Sequence, residues 1–84
     1  MATRRKNPVS ADAEDMQKKL GARIKSLRER KGYANYEKFA YDHDISRSQF
    51  GAYERGENLK FSTLVRVVKA FDLTLKEFFS EGFD

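Results

Sequence analysis

Ser46 to Gly56, SRSQFGAYERG, constrains this chain more than any other stretch. Ser46 and Gln49 have the S-x-x-Q spacing of a capping box, in which the Ser oxygen and the Gln side chain satisfy amides left unpaired at a helix start. Gly56 supplies the left-handed residue that commonly ends a helix. A helix of roughly two and a half turns is therefore expected, at ~3.6 residues per turn. On it Phe50 and Tyr53 fall on one side, and Arg47, Ser48, Gly51, Ala52 and Arg55 on the other. The second face carries a long cation, a hydroxyl and two very small residues, a surface able to press its backbone close to the floor of a DNA groove. It has the make-up of a recognition helix.

The rest of the chain must support that helix without help from covalent links. There is no cysteine and only one histidine, so a disulfide framework is excluded and a Cys/His zinc site has too few ligands. Eighty-four residues leave no room for a separate ligand-binding or catalytic domain. Neither a nucleophile paired with a base nor a phosphate-binding loop is present, so no enzyme activity, cofactor or small-molecule ligand is expected. No apolar run is long enough to span a bilayer, and the basic start is followed by polar sequence rather than a signal-peptide core. The chain is expected to be cytoplasmic.

The formal net charge is +4, but its distribution says more than its sum. Residues 1–31 hold ten Lys/Arg against four Asp/Glu, and residues 32–84 hold seven against nine. The helix over Ser46–Arg55 is thus no basic patch. Attraction to an anionic partner must lean on the first third of the chain or on Glu54 being neutralised internally.

Residues 1–9, with Arg4, Arg5, Lys6 and the one proline, have no periodic apolar face and read as a flexible basic arm. The domain is expected over residues 10–84. Ser10 can cap a first helix whose early acids suit the positive end of its dipole. Met16, Leu20, Ile24 and Leu27 give that helix one apolar stripe, and Gly32 ends it. Asn35 caps a short second helix, Tyr36 to about His43, that buries Phe39 and Ala40. Asp44, a residue type tolerant of positive φ, suits the corner into the third helix. Two short helices joined by such a turn make a helix-turn-helix. His43 stands alone and reads as a packing residue. Ser62 is expected to cap a fourth helix with Leu64, Val67, Val68 and Phe71 at i, i+3, i+4, i+7. Thr74 and Glu77 form a second capping box that opens a last short helix carrying Leu75, Phe78 and Phe79. The fold class is all-α, a compact five-helix domain.

With these pieces placed, the chain from Leu20 to Phe79 resembles the phage-repressor and Cro-like (XRE-like) helix-turn-helix family. The matching stretches are LGARIKSLR, KFA, ISRSQFGAYERG and STLVRVVKAFDLTLKEFF. The resemblance implies a lambda-repressor-like DNA-binding fold and a transcriptional regulator that binds double-stranded DNA as a homodimer. It implies base reading by Arg47, Ser48 and Ala52. Backbone contacts would fall to Tyr36, Gln49, Arg55, Asn58 and Lys60, with Tyr36 standing where the family usually has a glutamine. It further implies a structural ion pair between Arg28 and Glu54. Asp44 and Asp72, the latter at the C-terminal corner of the fourth helix, stand where the family often has glycine, and Gly51 sits inside the third helix at a cost of about 1 kcal/mol relative to alanine.

Phe78 and Phe79 are adjacent and so point about 100° apart on a helix, which leaves one of them short of cover. Together with Phe83 they suggest a dimer contact at the C-terminal region, for which Met16 and Ala13 of the first helix are a rival. An alternative function is a protein-interaction module, an antitoxin-like partner or adaptor that presents the same aromatic residues to another protein.

Overall fold

The computed structural model describes residues 8–84. Its five helices are α1 (Pro8–Arg30), α2 (Tyr36–Asp42), α3 (Arg47–Glu54), α4 (Phe61–Ala70) and α5 (Leu75–Phe78). The basic cluster at Arg4–Lys6 lies outside the described residues. Among the described residues, no helix is long and apolar enough to cross a membrane.

Four corners of one construction separate these helices. After each of the first four, an amide reaches back five residues to a carbonyl: Tyr33 to Arg28, Ile45 to Ala40, Glu57 to Ala52 and Leu73 to Val68, at 3.0–3.3 Å for all but the Ile45 bond, which is 2.8 Å. The residue before each of those amides has positive φ: Gly32 at 93°, Asp44 at 60°, Gly56 at 91° and Asp72 at 60°. Such corners satisfy the last carbonyls of a helix and need a residue that tolerates the left-handed region. Glycine has no Cβ to clash there, and aspartate is one of the few other types that visits it.

The helix starts follow the expected caps at three of five places. Asn35 accepts from the Lys38 amide at 3.0 Å, Ser46 from the Gln49 amide at 3.4 Å, and Thr74 and Glu77 form the full reciprocal capping box. At Ser46 only the serine half of the box forms. The other two starts lie earlier than expected. α1 already includes Pro8 and Val9, ahead of the expected cap at Ser10, and proline is compatible with a first helical turn because it lacks an amide that would be left unpaired there. α4 begins at Phe61, with Lys60 as its N-cap and no side-chain cap. The Leu64 amide already bonds the Lys60 carbonyl at 2.9 Å, which places Ser62 inside the first turn.

Phe39 of α2 is the centre of the core. Its ring centroid lies 5.1 Å from Phe50, 4.7 Å from Phe71 and 5.1 Å from Tyr33. Ile24, Leu64, Val67, Val68 and Phe78 close around it. His43 stacks on Phe39 at 4.1 Å, and its Nδ1 lies 2.9 Å from the Phe39 carbonyl. Since a carbonyl can only accept, Nδ1 carries the proton, and His43 is a packing residue that closes α2.

α5 is too short to hold itself, at four residues. Arg23 of α1 holds it. The buried guanidinium donates from Nε to the Phe78 carbonyl at 2.7 Å and from Nη2 to the Glu77 carbonyl at 3.0 Å. It also lies 5.7 Å from the Phe78 ring centroid. Glu81 completes the clasp by accepting from Arg23 at 3.2 Å and Arg30 at 3.0 Å. The hydrogen bond and charge of Arg30, then the charge of Arg23, hold the Glu81 carboxyl below its ordinary value. A depressed folded value means that the contribution is present above the unfolded carboxylate range and fades as pH falls through the folded value. Glu81→Gln is expected to melt earlier than the parent at pH 7, with the gap closing as the buffer is taken to about pH 3, below the reference value of ~4.3. Thermal melts across that range check it, and a gap that stays constant contradicts the clasp.

Candidate nucleic-acid interface

α3 is held from two sides by close backbone approach and from below by Phe50, which is fully buried. On the α1 side the contact is Gly21. A Cβ built there would stand 2.6 Å from the Tyr53 carbonyl oxygen, 2.7 Å from that of Glu54 and 2.9 Å from the Gly56 amide nitrogen. Only a bare α-carbon lets the two helices meet this closely. On the α2 side the contact is Gly51. A Cβ there would meet Tyr36 at 2.7 Å from Cε1, 2.8 Å from Cζ and 3.0 Å from the hydroxyl oxygen.

The second contact corrects the reading of Gly51 as part of the outward face. Gly51 is buried, and the space left by its missing side chain is filled by the Tyr36 ring. Tyr36, half-buried, braces α3 by its ring where the family resemblance implies a side-chain amide. This makes a sign-reversing prediction. Alanine in mid-helix ordinarily gains about 1 kcal/mol over glycine. Gly51→Ala is expected to lose that gain in the parent chain, where the methyl displaces the Tyr36 ring, and to show it in a Tyr36→Ala background. Urea denaturation of the four proteins measures the coupling, and equal effects in both backgrounds contradict the brace.

The face that α3 leaves in solvent comprises Arg47, Ser48 and Gln49 near its start, the half-exposed Ala52 one turn on, and Arg55 at its end. Among the described residues Arg47 makes no ion pair, and it borders the recess shared by Tyr36, Glu37, Ser46 and Ser48. Arg55 is less free, since Nη2 lies 3.4 Å from Glu57 Oε2. Asn58 and Lys60 are exposed on the segment leading into α4. Arg47, Ser48, Ala52 and Gln49 thus share one helix, and Arg55, Asn58 and Lys60 continue from its C-terminal end. Tyr36 lies beside them, across Gly51.

Glu54 is withdrawn from this surface. Arg28 donates to it from Nε at 2.8 Å and from Nη2 at 3.0 Å, and its Nη1 donates to the Tyr33 carbonyl at 2.8 Å. Both side chains are buried, at 4% and 7% exposure. The Glu54 hydrogen bond is the main cause that raises the Arg28 pKa, against the opposing effect of burial. The paired charges are close to neutral toward their surroundings, which removes the negative charge that would stand next to Arg55.

One cation was not anticipated. The Lys18 Cα would lie 3.1 Å from a Cβ at Gly56, so this exposed lysine of α1 sits against the corner that ends α3. The signal for it was weak: it lies three residues before Gly21, one helical turn along the same strip of α1. No family model, no curated protein and no solved structure matches the chain.

Proposed function

We propose that this chain is a sequence-specific double-stranded DNA-binding protein, a transcriptional regulator that lays α3 in the major groove as the second helix of a helix-turn-helix. The observation that carries the reading is the contrast between the two faces of α3. One is locked to α1 and α2 through Gly21, Gly51 and Phe50. The other presents Arg47 and Ser48 to solvent ahead of Ala52, with the single carboxylate of the helix paired to Arg28. A rigid helix with a long cation and small neighbours fits the groove, and base edges there are read by side chains from its first turns.

Arg47 then reads a base, most simply guanine through two hydrogen bonds. Tyr36, Gln49, Arg55, Asn58 and Lys60 flank it at positions suited to phosphates, and Lys18 joins them from α1. Selection of duplex fragments on the purified protein, followed by footprinting, tests the function. Binding should weaken as salt rises, because phosphate contacts release counterions. Arg47→Ala is expected to cost about 1–3 kcal/mol on the selected site and to relax preference at one base pair per half-site. Equal weakening on selected and random DNA would make Arg47 a phosphate contact, and absence of any salt-dependent binding would remove the function itself.

A further inference from the structure

We propose that Glu37 is a selectivity residue: where no matching base is present, its carboxylate takes the Arg47 guanidinium and keeps it from the DNA phosphates. This rests on the DNA-binding function proposed above and gives a role to a residue of α2 rather than of α3. Glu37 is the second residue of α2 and Arg47 the first of α3. The two helix starts converge, so both side chains line one recess with Tyr36, Ser46 and Ser48. Among the described residues that line it, Arg47 is the one cation and Glu37 the one anion. Both are exposed, and among the described residues neither joins an ion pair.

The other carboxylates near α3 already have cations beside them. Glu54 is held by Arg28, Glu57 by Arg55 and Asp42 by Lys38. Asp44 borders Arg47 from the opposite side, and the Arg66 guanidinium lies 3.2 Å from its carbonyl. Glu37 and Arg47 are left to each other. Sequence-independent affinity comes from cations meeting phosphates, so an arginine on the recognition surface adds to binding at every site, matching or not. A carboxylate within reach changes that balance. On the matching site Arg47 makes two hydrogen bonds to a base edge, and a single exposed ion pair does not outcompete them. On random duplex the alternative is one exposed phosphate contact, against which Glu37 competes on even terms. Discrimination is gained by weakening the wrong complexes rather than by strengthening the right one. Without DNA the two side chains stay apart, as expected of an exposed pair too weak to hold two long side chains in one geometry.

Competition binding of the wild type and Glu37→Gln to the selected site and to random duplex, over a salt series, tests the assignment. Glu37→Gln is expected to raise affinity for random duplex by about two- to fivefold, the range of an exposed ion pair. Its salt dependence there should steepen by about 0.9 in log–log slope, the value of one further phosphate contact. The selected site should gain less than random duplex does, with the preferred base unchanged, so the ratio between the two falls. In an Arg47→Ala background the effect should vanish, because no guanidinium is left to release. Asp12→Asn makes the same charge change on the exposed start of α1 and should leave the ratio as it is. An equal change on both duplexes, whether a gain from lost repulsion or a loss from a weaker α2, overturns the proposal. So do a changed base preference, which would make Glu37 a base contact, an effect that persists without Arg47, and a matching effect from Asp12→Asn. Each of these leaves the DNA-binding function standing, whereas a wild type without salt-dependent binding to duplex removes both.

Discussion

Glu54→Ala is expected to destabilise the domain by about 3–5 kcal/mol, the largest effect of any single truncation away from the apolar core. The reason is what it leaves behind. Arg28 keeps its bond to the Tyr33 carbonyl at 2.8 Å but loses both carboxylate contacts, in a place where its side chain has 4% exposure. A buried guanidinium cannot shed its proton to escape, because it holds that proton more tightly than any other basic side chain. Arg28→Ala should cost a comparable amount by stranding the carboxylate. Replacing both at once, as Arg28→Met with Glu54→Leu, removes two desolvated charges together and should recover most of the loss. A double-mutant cycle by urea denaturation measures this. Coupling near zero contradicts the buried pair, whatever the two single losses are.

Gly21→Val is expected to lower the melting temperature by more than about 10 °C, and Gly21→Ala by a smaller amount in the same direction. Two terms of opposite sign meet here. Alanine gains about 1 kcal/mol of helix propensity over glycine. Overpacking costs about 1–3 kcal/mol or more, and here the obstructing atoms are three backbone atoms within 2.9 Å, which no rotamer change can move. The clash wins. For a domain of 60–100 residues each kcal/mol shifts the transition by about 4–8 °C. Melts followed by circular dichroism decide the point, and a Gly21→Ala protein that melts above the parent would show that α1 and α3 are further apart than described. The same variants should weaken any property that depends on the position of α3, in proportion to the population that remains folded.

The sequence by itself determined what neighbours within four or five residues decide. Asn35, Ser46 and the Thr74–Glu77 pair act on amides two or three residues away, and Gly32, Asp44, Gly56 and Asp72 act on carbonyls just behind them. The identities of those residues are therefore enough to mark the ends of α2 and α3, the end of α1, and the start of α5. Helical periodicity likewise placed Ile24, Phe39, Phe50, Leu64, Val67 and Val68 inside. The starts of α1 and α4 were misplaced because Ser10 and Ser62 look like caps, while the helix already runs through Pro8 and the Leu64 amide bonds the Lys60 carbonyl one turn earlier. Within the candidate site, the exposed face of Arg47, Ser48 and Ala52 was legible from helical spacing, whereas the Arg28–Glu54 partnership, 26 residues apart, came only through the family resemblance. Gly51 was not legible. On a helical wheel it falls between Arg47 and Arg55, and only the packing of α2 against α3, fifteen residues apart in sequence from Tyr36 to Gly51, turns it inward. Gly21, Arg23 and Lys18 share that limit, for their partners at Tyr53, Phe78 and Gly56 lie more than thirty residues away, and local pattern carries no distance between chain segments. Met16, Phe79 and Phe83 line one apolar recess with Leu20 for the same reason: each is visible in the sequence as an apolar residue, but only the docking of the tail across α1 makes them neighbours.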